Sequence, residues 1–259
     1  QKMIAPFILR RLKKDVLKDL PDTREKTMYA RMAGEQQELY QAHVQRLQML
    51  LVKQSPEEFD RSKIQILSEL TKLRQLCCDP ALLYENYMSG SAKLNLCLEL
   101  IQNAMESGHK MLVFSQFTTM LDRIAARLNK EHIPYFMLTG ATAKQERIRL
   151  VTEFNQDETP VFLISLKAGG TGLNLTAADI VIHYDPWWNT AVQNQATDRV
   201  HRIGQTNRVL VYKLIAQNSI EENIVKLQKQ KAELAEQILG GDNLGSPSFS
   251  REELLELLN

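Results

Sequence analysis

At 259 residues, the chain is long enough for one large domain or a domain with a sizeable appendage, about 150 residues being typical. Its 44% hydrophobic and 24% charged residues, with 11 Gly and 8 Pro, are those of a globular protein and exclude a fibre or a disordered tract. The longest apolar runs, such as Val161-Phe162-Leu163-Ile164, fall far short of the ~18 residues of a membrane span, and the chain opens with no signal-peptide pattern, so an intracellular protein with no membrane partner is expected.

The first 33 residues form a basic lead-in: residues 1–31 carry nine Lys or Arg against four acids, whereas from Ile215 onward eight acids face four bases. That asymmetry suits a protein that meets a polyanion on one side, and it equally suits a solvated charged face. Residues 34–90 predict a helical hairpin. Leu39, His43, Leu47 and Leu50 recur at helical spacing, and after Ser55-Pro56 so do Ile64, Leu67, Leu70, Leu73, Leu76 and Cys77, until Cys78-Asp79-Pro80 stops the second helix. Ser89-Gly90-Ser91 then marks a boundary.

Over residues 91–215 helices alternate with short apolar runs. Helix from Ala92 to about Ser107 precedes strand Met111–Phe114, and helix Thr119–Leu128 precedes strand Tyr135–Leu138. A further helix is opened by Thr142-Ala143-Lys144-Gln145, which reads as a capping box. Strands Val161–Ile164, Ile180–His183 and Val209–Leu214 follow. Continuous apolar strands separated by helices predict an α/β fold, a doubly wound parallel sheet covered on both faces. Residues 216–259 read as a helix and tail: Ser219-Ile220-Glu221-Glu222 as a second capping box, Ile220, Ile224, Leu227, Leu234 and Ile238 as the stripe, Gly240-Gly241 as the stop, and Arg251–Asn259 as a short terminal helix.

In such sheets ligands bind beyond the carboxyl ends of the strands, which singles out Ser115-Gln116, Thr139-Gly140 and the loop Lys167-Ala168-Gly169-Gly170-Thr171-Gly172-Leu173-Asn174. The glycines let backbone amides approach a phosphate or ribose, with Lys167 beside them, although a plain strand-to-helix turn has the same composition. No P-loop, HExxH or nucleophile elbow occurs, and Asp157-Glu158 precedes its strand where a magnesium-holding acid would follow it. The three cysteines (Cys77, Cys78, Cys97) lack zinc or disulfide spacing, so no metal site is expected. Arg199 and Arg202, three apart on a predicted helical turn, would present two guanidiniums on one face, either to solvent or to a transferring phosphoryl group.

The strings Lys167-Ala168-Gly169-Gly170, Gly172-Leu173-Asn174-Leu175-Thr176, Asp185-Pro186-Trp187-Trp188-Asn189 and His201-Arg202-Ile203-Gly204-Gln205 resemble motifs five and six of superfamily-two helicases, specifically the SWI/SNF-type chromatin-remodelling ATPases. The resemblance extends to Phe7–Arg11, Leu73–Pro80, Val113–Phe117 and Ile220-Glu221-Glu222, with two departures: Asn189-Thr190 where the family has Asn-Pro, and Ser91-Ala92-Lys93 where it has Ser-Gly-Lys. It implies a RecA-like second lobe carrying a helical protrusion at 34–90 and a brace helix after residue 216. It further implies ATP and magnesium held mainly by a first lobe, Arg199 and Arg202 as arginine fingers, and Gly172, Asn174, Gln195 and Asp198 near the nucleotide. Ser115, Gln116, Thr139, Gly140, Lys167 and Ala168 would face double-stranded DNA. Adjacent residues after a strand cannot both face the core, so Trp188 is expected to reach toward the DNA with Trp187 packed beneath as an anchor, the alternative being both rings buried against the following helix.

The implied activity is translocation on DNA with remodelling or displacement of bound protein, in the nucleus of a eukaryote or on the nucleoid of a bacterium. No turnover is expected without the first lobe, and a non-hydrolytic module that binds DNA or a regulator is the alternative.

Overall fold

The computed structural model describes residues 20–168, 172–238 and 250–258. The first nineteen residues of the basic lead-in, Gly169-Gly170-Thr171 and the Gly240-Gly241 stop lie outside the described residues. Six strands form one parallel sheet in the order β1-β6-β5-β2-β4-β3. They are β1 (Thr23–Ala30), β2 (Met111–Ser115), β3 (Tyr135–Leu138), β4 (Val161–Ser165), β5 (Ile180–His183) and β6 (Val209–Ala216).

The strands β2, β4 and β5 are buried along their whole length, as strands with neighbours on both edges and helices on both faces must be. Period-two alternation divides their side chains. Met111, Val113, Leu163 and Ile182 join one core with helices α3 (Ala92–Glu106) and α4 (Thr118–Lys130). Leu112, Phe114, Phe162, Ile164 and Val181 join a second core with α5 (Lys144–Gln156) and α6 (Thr190–Thr197).

A third core lies in the helical insertion, α1 (Gly34–Lys53) and α2 (Pro56–Cys78), which packs with α7 (Ile220–Ile238) and α8 (Arg251–Leu257). Ser55 and Glu58 close a capping box at the start of α2, and Ser250 and Glu253 do so for α8. Arg251 donates to the carbonyls of Leu51 and Val52. It thereby satisfies the open end of α1 with a cation at the negative pole.

Three local readings are corrected. The lead-in contributes strand β1, whose eight residues pair in register with β6. It is an edge strand exposed at most positions, so it carries no apolar period to betray it. The Thr142 capping box does not form: α5 begins at Lys144 after Ala143, and the Thr142 hydroxyl accepts from the Thr139 amide. Ser219 caps through the Glu221 amide at 3.2 Å and donates to the Ala216 carbonyl. Glu221, not Glu222, turns inward, accepting from the Ala216 amide at 2.8 Å.

Candidate functional site

The sheet changes direction at β2, with β4 and β3 on one side and β5, β6 and β1 on the other. The carboxyl ends of β2 and β5 are therefore where a ligand site is expected. Here Ser115 donates to Asp185 Oδ1 at 2.5 Å, and the Gln116 amide points at both Asp185 oxygens (3.3 and 3.4 Å). Arg74 enters from α2. It donates to Gln116 Oε1 at 2.9 Å and to the Pro186 carbonyl at 2.5 Å, and lies 3.8 Å from Asp185 Oδ2. Burial raises the Asp185 pKa, against the opposing pull of Arg74 and Ser115.

The Arg74 guanidinium also stands over three rings: Phe117 at 5.8 Å, Trp187 at 5.7 Å and Trp188 at 5.4 Å. Trp187 packs on the core under α6, whereas Trp188 packs on the core of the insertion, and both are half-buried. Trp188 is thus an anchoring residue as well as a rim residue. Ser115 is buried with its hydroxyl given to Asp185, so in this conformation it shapes the Gln116 loop and does not itself reach a ligand. Ala168 is likewise buried, while Lys167 is exposed.

The turn after β3 is tied down by Arg147, which donates to the carbonyls of Thr139 and Gly140 at 3.2 Å and of Thr142 at 2.9 Å. Gly140 is left exposed at the tip. Beyond β4, Gly172 adopts φ +55 in open space. Its glycine is therefore required by backbone conformation and not by crowding. Asn174 is exposed, its carbonyl accepting from the Asn155 amide at 2.8 Å.

The arginine pair does not sit on a helix. Asn189 caps α6, which ends at Thr197, and Arg199 and Arg202 fall in the tight turns that follow. Those turns are pinned from two sides: the Leu175 amide donates to the Arg199 carbonyl at 3.1 Å, and the buried Gln205 amide donates to the carbonyls of Ala178 and Val200. Burial and then the Arg202 charge push the Arg199 pKa down, with Asp198 opposing. Arg199 is buried and Arg202 half-buried. Gln195 and Asp198 are exposed on the same segment. The structure thus gathers Arg199, Arg202 and Asp198 in one place and Ser115, Gln116 and Trp188 in another, with the end of the glycine loop bonded to the arginine turn.

Two residues that sequence reasoning passed over complete the frame. Lys93, at the start of α3, holds both oxygens of Glu221, at 2.6 and 2.5 Å, with both side chains fully buried. Its pKa is raised: burial works against the charge, but the Glu221 carboxylate outweighs it. Arg74 is a buried cation on the largely apolar face of α2, a position whose default reading is a solvated edge. Its only signal was membership in the Leu73–Pro80 string.

Residues 92–204 match the helicase conserved C-terminal domain, and residues 1–82 match the SNF2-related domain. An uncharacterized ATP-dependent helicase of Mycoplasma pneumoniae is 42% identical over 254 residues, which is 98% of this chain and 24% of that protein. The solved C-terminal domain of the Sulfolobus solfataricus SWI2/SNF2 ATPase is 32% identical, with 91% of this chain and 98% of that one covered at a TM-score of 0.74. The SWI2/SNF2 ATPase core of that organism in complex with double-stranded DNA is 35% identical, with 99% of this chain and 55% of that one covered, also at 0.74. Fold and motifs together define the second, RecA-like lobe of a helicase-type ATPase. The chain belongs to the SWI/SNF-type family of ATP-dependent helicases and chromatin remodellers. It spans about a quarter of the length of the curated relatives it matches.

Proposed function

We propose that the chain is the C-terminal lobe of an ATP-dependent double-stranded DNA translocase that remodels or displaces DNA-bound protein, acting inside the cell on nucleoid or chromatin. The observation that carries the reading is the arginine turn. Arg199, buried, and Arg202, half-buried, lie on a segment clamped by Gln205 and Leu175, in a chain whose relatives are ATP-dependent helicases. ATP, held with magnesium mainly by the first lobe, supplies the phosphoryl transfer that drives movement. Arg199 and Arg202 place permanent positive charge against the phosphates from this side, and the exposed Gln195 and Asp198 border them. Gly172 and Asn174 offer backbone and amide groups toward the ribose.

Gln116, Thr139, Gly140 and Lys167 face a DNA strand in this reading, with Ser115, Ala168 and Trp188 holding their loops from beneath. The test is ATP turnover with and without duplex DNA, by this chain alone and after joining it to the first lobe of the same protein. The chain alone gives background rates, and the joined protein gives DNA-stimulated hydrolysis. Hydrolysis by the chain alone that is lost in Arg202→Ala would contradict the division of labour between lobes. Duplex binding without hydrolysis even in the joined protein would favour the binding-module reading.

A further inference from the structure

The loops that follow β2 and β5 are bridged by a side chain that belongs to neither strand. Arg74 comes from the insertion, 42 residues before Gln116 and 112 before Pro186, and bonds both loops at once. Its planar fork suits this task, because separate N–H groups reach Gln116 and Pro186 while the face of the cation lies against aromatic rings. We propose that Arg74 is a positioning residue through which the helical insertion sets the spacing of the Gln116-Phe117 and Pro186-Trp187-Trp188 loops for duplex DNA, a role that rests on the DNA-binding reading above.

The fork and the face of Arg74 hold two loops at fixed distances. Asp185, 3.8 Å from Arg74, ties the same two loops through Ser115 Oγ and the Gln116 amide, so the loops are held by the strands on one side and by the insertion on the other.

The chain's two tryptophans, Trp187 and Trp188, both lie against Arg74, so selectively excited tryptophan fluorescence reports on this cluster. Arg74→Met removes the charge and the fork, and Arg74→Lys keeps the charge without the fork. Acrylamide quenching of tryptophan, thermal unfolding and binding of a fluorescein-labelled random-sequence duplex are measured on wild type and both variants. In folded variants, quenching rises above wild type, and duplex affinity falls roughly tenfold, equivalent to ~1.4 kcal/mol. Arg74→Lys restores neither fully. Should Arg74→Met not fold, Arg74→Lys decides.

Unchanged quenching in a folded variant overturns the clamp. Raised quenching with wild-type duplex affinity overturns its role in DNA positioning. Failure of the wild-type chain to bind the duplex refutes the DNA-binding reading itself, and the positioning role with it, while quenching still decides the clamp.

Discussion

Trp188 shows how far one residue's type and neighbours determine its part. Two adjacent tryptophans after a strand cannot share a face, and the expectation of one anchor and one outward ring followed from that. The structure seats both rings against one cation and against different cores, Trp187 under α6 and Trp188 on the insertion. Removing a half-buried aromatic that bridges two elements empties part of a packed site. Trp188→Ala is expected to lower unfolding free energy by about 2 kcal/mol, below the 3 to 5 of a fully buried tryptophan. Urea denaturation measures it, and a loss under about 0.5 kcal/mol, ordinary for a surface change, would place the ring outside the packing.

At the scale of elements, charged groups in the interior fix how helices join the sheet. Lys93 and Glu221 bring the start of α3 and the first turn of α7 together with no solvent exposure. Breaking such a pair from one side strands a buried charge and costs about 3 to 5 kcal/mol, whereas replacing both partners with apolar groups is often near neutral. Lys93→Met and Glu221→Leu are therefore each expected to be strongly destabilising and the double variant much less so, read by chemical denaturation. Additive losses would remove the pair from the account.

His183, at the end of β5, bonds Thr197 at the end of α6 and stacks on Phe114 at 5.7 Å. Burial, and then the Lys213 charge, push its pKa down to about 3. The folded state thus holds the neutral ring while the unfolded chain protonates near the ordinary value of about 6.5, so this contribution is intact above pH 6.5 and lost as pH falls toward 3. Between pH 6.5 and pH 5 the wild type should lose roughly 2 kcal/mol more than His183→Gln. Asp185, raised by burial, contributes with the opposite sign in both proteins and cancels in the difference. Equal pH dependence in the two would show that His183 is protonated in the fold.

For the molecule as a whole, the parallel sheet was legible because its central strands are apolar runs ending in Ser115, Ser165 and His183, and the helices because apolar residues recur at helical spacing, although Ile64 and Leu67, read as part of the α2 stripe, are exposed. The edge strand β1 was not, since a strand with one neighbour and both faces mostly open needs no pattern. The arginine pair was legible as chemistry but not as geometry. Tight turns, fixed by Leu175 and Gln205 from elsewhere in the chain, replace the predicted helix, and spacing along the sequence cannot encode a contact 24 residues away. Arg74 and the Lys93–Glu221 pair were illegible for the same reason, because each acts across long sequence separations and looks like an ordinary surface charge until the fold buries it.

The most direct measurement is DNA-stimulated ATP hydrolysis by the complete two-lobe protein carrying Arg202→Lys. An arginine finger contributes on the order of 10³ to 10⁵ in rate, and lysine keeps the charge but not the planar fork. The account predicts near-abolition of stimulated turnover with duplex affinity close to wild type. A catalytic rate close to wild type in that variant would contradict it, leaving the arginine turn a charged surface.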